Sequence, residues 1–193
     1  LAIAKPSVEA RFLYGLVAFE LQRWLLCRST LKPLAGDAAW GPSARTLVKR
    51  AEARERAAAL AKVKKEHRAA IAKLEGQLRA GELGTADKTL QDAEKARPGH
   101  ALNAYYRGYI AYQRGDRVGA QREFRAALGQ RPDDVWARYM LALSVDTPQR
   151  EPLLREVLRK SKDPALRRAA SAALVKRAPR PSRRHALSMR LAL

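Results

Sequence analysis

The chain contains a single cysteine, Cys27, so no disulfide can form within it. Cys27 falls on an apolar helix face, which predicts a buried structural thiol. The three histidines, His67, His100 and His185, lie far apart in sequence. None has a cysteine or another histidine at ligand spacing, which excludes the usual short metal motifs. His67 sits in a charged stretch and His100 between apolar segments, so both read as surface residues. The glycine pair Gly81 and Gly84 lacks the lysine of a phosphate-binding loop. No catalytic set emerges, so the chain reads as a non-enzyme with no cofactor, no metal and no small-molecule substrate. No uncharged apolar run approaches the roughly 18 residues of a membrane span. The sequence does not begin with Met, which suggests a removed leader or a fragment.

Acidic residues are also scarce. Against 39 Lys+Arg stand 19 Asp+Glu, for a net charge of +20. Half of that excess falls after Leu158. Such a balance suits a polyanionic neighbour: RNA, an anionic lipid surface or acidic protein. The candidate docking residues are Arg159, Lys160, Lys162, Arg167, Arg168, Lys176, Arg177, Arg180, Arg183 and Arg184. Residues 178–193, with two prolines and four arginines, read as a basic tail that orders on a partner.

The most informative pattern is a repeat. Gly81 recurs as Gly115, Ala86 as Ala120, Leu90 as Phe124, Ala93 as Ala127 and Pro98 as Pro132, each pair one 34-residue period apart. A fixed period of this size marks stacked helical hairpins. The glycine ends a first helix in the left-handed conformation. The alanine lets two helices approach, and the bulky residue four positions on fills the gap between hairpins. The proline stops the unit.

The second copy, GYIAYQRGDRVGAQREFRAALGQRP from Gly108 to Pro132, resembles the tetratricopeptide repeat family. The shared pattern is the small residue, the glycine, A-x-x-x-F and the closing proline, while Arg107 stands where that family usually has a bulky residue. The resemblance covers two repeats, residues 67–134, and a degenerate third. It implies an all-α solenoid whose first helices line a concave protein-binding face. The positions it assigns to that groove are Tyr105, Tyr109, Tyr112, Trp136, Tyr139 and Leu143, together with Leu102. From the first repeat it adds Arg68, Ile71, Glu75 and Leu78. Tyr105 and Tyr109 occupy places where carboxylate-holding members carry Lys and Asn. A helix or an apolar segment is therefore the better ligand, and residues 8–27 of this chain are one candidate. The same tyrosines also suit packing between helices, and both readings stand at this point.

Around the repeats, residues 6–29 read as one apolar helix started by Pro6 with Ser7 or Glu9. One of its faces carries Phe12, Leu16 and Phe19. A second carries Leu13, Val17 and Trp24. It must be covered by its own solenoid, by a partner subunit or by a membrane surface. The residues offered to a partner or membrane are Phe12, Leu16, Phe19 and Trp24. Residues 30–43 form a loop anchored by Trp40, with Ser43 as the next helix cap. Residues 44–80 hold no proline and a single glycine, Gly76, and predict one long helix or two with a small break. Its first half is a basic rod with Glu52 and Arg56 at i,i+4 spacing. Further helices are expected at 83–96, 101–114, 118–130, 135–145, 152–160 and 164–177. Asp133 or Asp134 and Asp163 serve as caps. The domains are then residues 1–43, 44–66, 67–177 and 178–193.

The function these features suggest is a scaffold built into a larger assembly as a structural subunit. A mitochondrial ribonucleoprotein particle fits the basic, cysteine-poor composition. The competing readings are a protein-only accessory subunit of a mitochondrial membrane complex and a soluble, cytoplasmic peptide-binding adaptor.

Overall fold

A computed structural model describes residues 6–175 of the chain. About 83% of these residues are helical, and among them there is no strand. The chain is an all-α protein of the solenoid-like kind, with consecutive helices packed in pairs. Internal packing divides it into two units, residues 1–63 and 64–193.

The first unit starts with α1 (Val8–Glu20) and α2 (Trp24–Leu31), followed by a 3-10 turn at Lys32–Leu34. Ser7 caps α1, its hydroxyl oxygen accepting from the Ala10 amide at 3.1 Å. The single helix expected over residues 6–29 is thus two helices. Gln22 takes φ +57°, the left-handed conformation usually left to glycine. The Arg23 amide then donates back to the Ala18 carbonyl and the Gln22 amide to that of Phe19, closing α1. Folding the segment into a hairpin lets it bury apolar surface against itself. Phe12, Ala18, Cys27, Leu31 and Leu34 form a small core with Ala44 and Ala51 of the next helix. Phe19, Trp24, Leu26 and Trp40 pack around it. Gly15 is needed here, because a β-carbon would run into the Leu31 side chain. Trp40 does anchor the connecting loop, its ring centroid 4.7 Å from that of Phe12. Asp37 accepts from the Ala39 and Trp40 amides just ahead of α3, which begins at Gly41 rather than after Ser43.

Helix α3 (Gly41–Ala80) runs unbroken for 40 residues, Gly76 included. Its charged first half carries no Glu52–Arg56 pair. Instead Glu55 accepts from Arg28 of α2 at 2.6 Å. From Lys64 onward it belongs to the second unit, where Ile71, Leu74 and Leu78 enter the core.

The second unit continues with α4 (Leu83–Ala96), α5 (Ala101–Gln113), α6 (Arg117–Gln130), α7 (Val135–Ser144), α8 (Thr147–Lys160) and α9 (Pro164–Val175). The 34-residue period reappears in the backbone. Gly81 and Gly115 have φ +82° and +85°, and Arg97 and Arg131 end their helices at φ −141° and −133°. Ala86 and Ala120 are fully buried, as are Ala93 and Ala127, and Leu90 and Phe124 are buried in the same core. Gly108 faces Phe124, whose ring carbons would lie 2.9 Å from an added β-carbon. Arg107 bridges Glu94 of α4 at 2.7 Å and Glu123 of α6 at 3.0 Å. The third repeat differs from expectation. α8 begins at Thr147 with Pro148 in its first turn, so the proline starts the helix instead of marking a turn before residue 152.

Gly115 gives a clean test of the turn. Nothing lies within 4 Å of a β-carbon built there, so Gly115→Ala changes only the backbone preference. A loss of about 1 kcal/mol is expected in urea unfolding. Gly76→Ala, equally open but in mid-helix, is expected to gain up to about 1 kcal/mol. Equal effects of the two substitutions contradict this account of the turn.

Candidate functional site

Several residues assigned to the concave face are closed to a ligand. Tyr105, Tyr109, Tyr139 and Leu143 are buried in the core of the second unit, whereas Leu102, Tyr112 and Trp136 are half-exposed and Arg68 is exposed. The reason is aromatic packing: Tyr105 stacks edge-on against Tyr106 and tilts against Phe124 at 5.8 Å. The open part of the face lies at the N-terminal ends of α5 and α7.

There a cleft of about 410 Å³ is lined by His67, Arg68, Ile71, Ala72 and Glu75 of α3. It continues over Arg97, His100 and Leu102 around the start of α5, and over Arg131, Asp133, Asp134, Val135 and Trp136 around the start of α7. His67 is a core residue, contrary to the surface role expected of it. Its Nε2 lies 2.8 Å from Asn103 Oδ1, while Asn103 Nδ2 donates to the Arg97 carbonyl at 2.8 Å. That chain of bonds makes Nε2 the protonated nitrogen of His67. Its ring meets the His100 ring edge-on at 4.6 Å.

His100 caps α5, Nδ1 accepting from the Leu102 amide at 3.3 Å. Burial, then the charge of Arg97, then His67 and Arg131, lower its pKa from 6.5 to about 4. The ring is therefore neutral in the folded chain at pH values where the unfolded chain protonates it. Stability is full above about pH 6.5 and declines as pH falls toward about 4. Urea midpoints of the full chain at pH 7.5, 6 and 4.5 are expected to trace this decline. His100→Asn, which keeps a capping oxygen without titrating, is expected to flatten it.

The acids of the cleft are all engaged. Glu75 is buried, accepts from the Tyr106 hydroxyl and lies 3.7 Å from Arg79. Asp133 holds Lys160 at 2.8 Å, which pulls the Asp133 pKa down and the Lys160 pKa up. Asp134 caps α7 through the Trp136 and Ala137 amides. By contrast, Arg68, Arg97 and Arg131 take part in no ion pair among the described residues. Arg97 and Arg131 are one repeat apart, beside Pro98 and Pro132, and that spacing was the sequence signal for them.

Of the other assigned residues, Lys160 is tied to Asp133 and Glu156, and Arg159 lies 3.9 Å from Glu156. Arg167 donates to the Leu158 and Ser161 carbonyls. Lys162 and Arg168 are exposed. Lys176, Arg177, Arg180, Arg183 and Arg184, with the basic tail and His185, lie outside the described residues.

On α1, Phe12 is buried and Leu16, Phe19 and Trp24 are half-buried, the aromatic residues packing within the first unit. Within the first unit this face is covered by α2 and the start of α3. The exposed apolar residues are instead Leu13, Tyr14, Val17, Leu21 and Leu25, each 51–68% accessible.

Among the described residues no helix is long and apolar enough to cross a membrane, and no group of three or more His, Cys, Asp or Glu is placed to hold a metal ion. The fold and cleft define a class, an all-α array of helical hairpins with a cleft lined by both arginines and carboxylates. No protein-family model matches the chain, and no curated protein matches it.

Proposed function

We propose that this chain is a non-enzymatic scaffold of the tetratricopeptide kind, a structural subunit of a larger assembly. The observation that carries the reading is the repeated hairpin. Glycines of equal φ, buried alanines and a bulky filler return every 34 residues, and this builds a surface for holding rather than reacting. The protein-binding face is the cleft that Trp136 lines. The exposed cations Lys162 and Arg168, and the arginines that follow, dock on a polyanion. The assembly proposed is a mitochondrial ribonucleoprotein particle, in which those cations meet phosphates.

Purification of the tagged chain with its native partners tests this. Protein subunits are expected to co-purify, with release by RNase and steep loss of association between low and moderate salt. Recovery of the chain alone under native conditions rejects the scaffold reading.

The exposed apolar stripe of α1 favours a second version, a protein-only subunit of a membrane complex held through that stripe. Leu13→Ser, Val17→Ser and Leu21→Ser together are then expected to release the chain while RNase does not. Retention of the triple variant rejects this version.

A further inference from the structure

The cleft at the starts of α5 and α7 has an unbalanced charge. Its acids are spent on Arg79, Lys160 and the cap of α7, while Arg68, Arg97 and Arg131 remain without acidic partners among the described residues. Two helix N-termini open into the same space, since Leu102 of α5 and Val135 and Trp136 of α7 line it. Helix dipoles favour anions at these ends, where the first amides are already taken by His100 and Asp134. Burial is the main cause of the low His100 pKa, and the charges of Arg97, His67 and Arg131 add to it. Part of the lining is apolar: Ile71, Leu102, Val135 and the Trp136 ring.

We propose that this cleft receives a phosphorylated serine or threonine side chain of a protein partner. The inference rests on the protein-scaffold reading above and names the chemistry of its ligand. A carboxylate brings one charge and two acceptor oxygens. A phosphomonoester brings about −1.5 to −2 at neutral pH and three oxygens, which suits three guanidinium groups better. RNA fits less well. Three arginines gathered in one cleft offer no extended track for a continuous line of phosphates. The apolar lining instead suits the residues that flank a single phosphorylated side chain. A volume of about 410 Å³ takes such a side chain and a neighbour.

The test uses the full chain and a short fluorescein-labelled peptide with one phosphoserine between leucines, read by fluorescence anisotropy. Its unphosphorylated twin, sodium phosphate and oligouridylate are run beside it. The phosphopeptide is expected to bind at least roughly tenfold more tightly than its twin. Arg97→Gln with Arg131→Gln is expected to abolish that preference. Arg131→Gln alone, at an exposed position, is expected to weaken it several-fold with the helical circular dichroism unchanged. Arg117→Gln, an exposed change of equal charge at the start of α6, is expected to leave it intact. Equal binding of the twin, a preference that survives the double variant, or tighter binding of oligouridylate or free phosphate overturns the proposal. So does no binding of the phosphopeptide. Native partners that co-purify equally with wild type and the double variant refute the phosphate site and leave the scaffold reading standing. If the chain has no native protein partners at all, both fail.

Discussion

Phe124→Ala is expected to lower the stability of the chain by about 3–5 kcal/mol, the largest effect of any single change considered. Its ring has no exposure and lies beside Tyr105. It also fills the space that Gly108 leaves by having no side chain. Truncation removes the ring's transfer free energy and opens a cavity. The rigid neighbours Tyr105 and Tyr106, both fully buried, have little freedom to collapse into it. Urea unfolding followed by circular dichroism measures the loss. If Phe124→Ala is too unstable to study, Phe124→Leu keeps part of the volume and is expected to lose about 1–2 kcal/mol. A loss below about 1 kcal/mol for the alanine variant shows that the ring does not hold α6 to α5.

Ala120→Leu is expected to be nearly as damaging for the opposite reason. Ala120 has no exposure, and it begins the packed face of α6 where that helix meets its neighbours. Added methylenes must displace a backbone or force strained rotamers, at about 1–3 kcal/mol and more where the contact cannot open. Ala126 lies on the same helix but faces solvent, so Ala126→Leu is expected to change stability by no more than about 0.5 kcal/mol. The pair separates crowding from helix propensity, which disfavours both substitutions slightly and almost equally. Similar small effects at both positions dispose of the close approach as the purpose of the small residue.

The hairpin array was legible because its determinants are local and recur. A glycine at φ +82° or +85°, an alanine at a helix crossing and a proline after a helix each announce themselves in sequence. The start of α4 at Leu83 and its end at Ala96 follow from such signals. The break in the first helix was not legible, since Gln22 is an ordinary helix residue. Only the gain from folding Phe12, Gly15 and Ala18 onto Leu31 makes its left-handed turn worthwhile. Pro148 misled for a related reason, because a proline that ends one helix can equally begin another.

The site was harder still. Helical periodicity told which tyrosines share a face but not that neighbouring helices bury Tyr105 and Tyr109. His67 looked like a solvated residue among lysines until Asn103, 36 positions away, supplied its partner. The arginines of the cleft carried a usable signal in their 34-residue spacing. What the sequence lacked was any sign that the nearby acids are consumed by Lys160, Arg79 and a helix start.

Cys27 gives the first unit a built-in clock. Its thiol has no exposure, and burial holds its pKa above the ordinary value, so an alkylating reagent has neither access nor thiolate to attack. Because it is the sole cysteine, every labelling event reports an opening of the small core that Cys27 shares with Phe12, Ala18 and Leu34. The labelling rate of the intact chain therefore measures how often that small core breathes, without any foreign probe being attached.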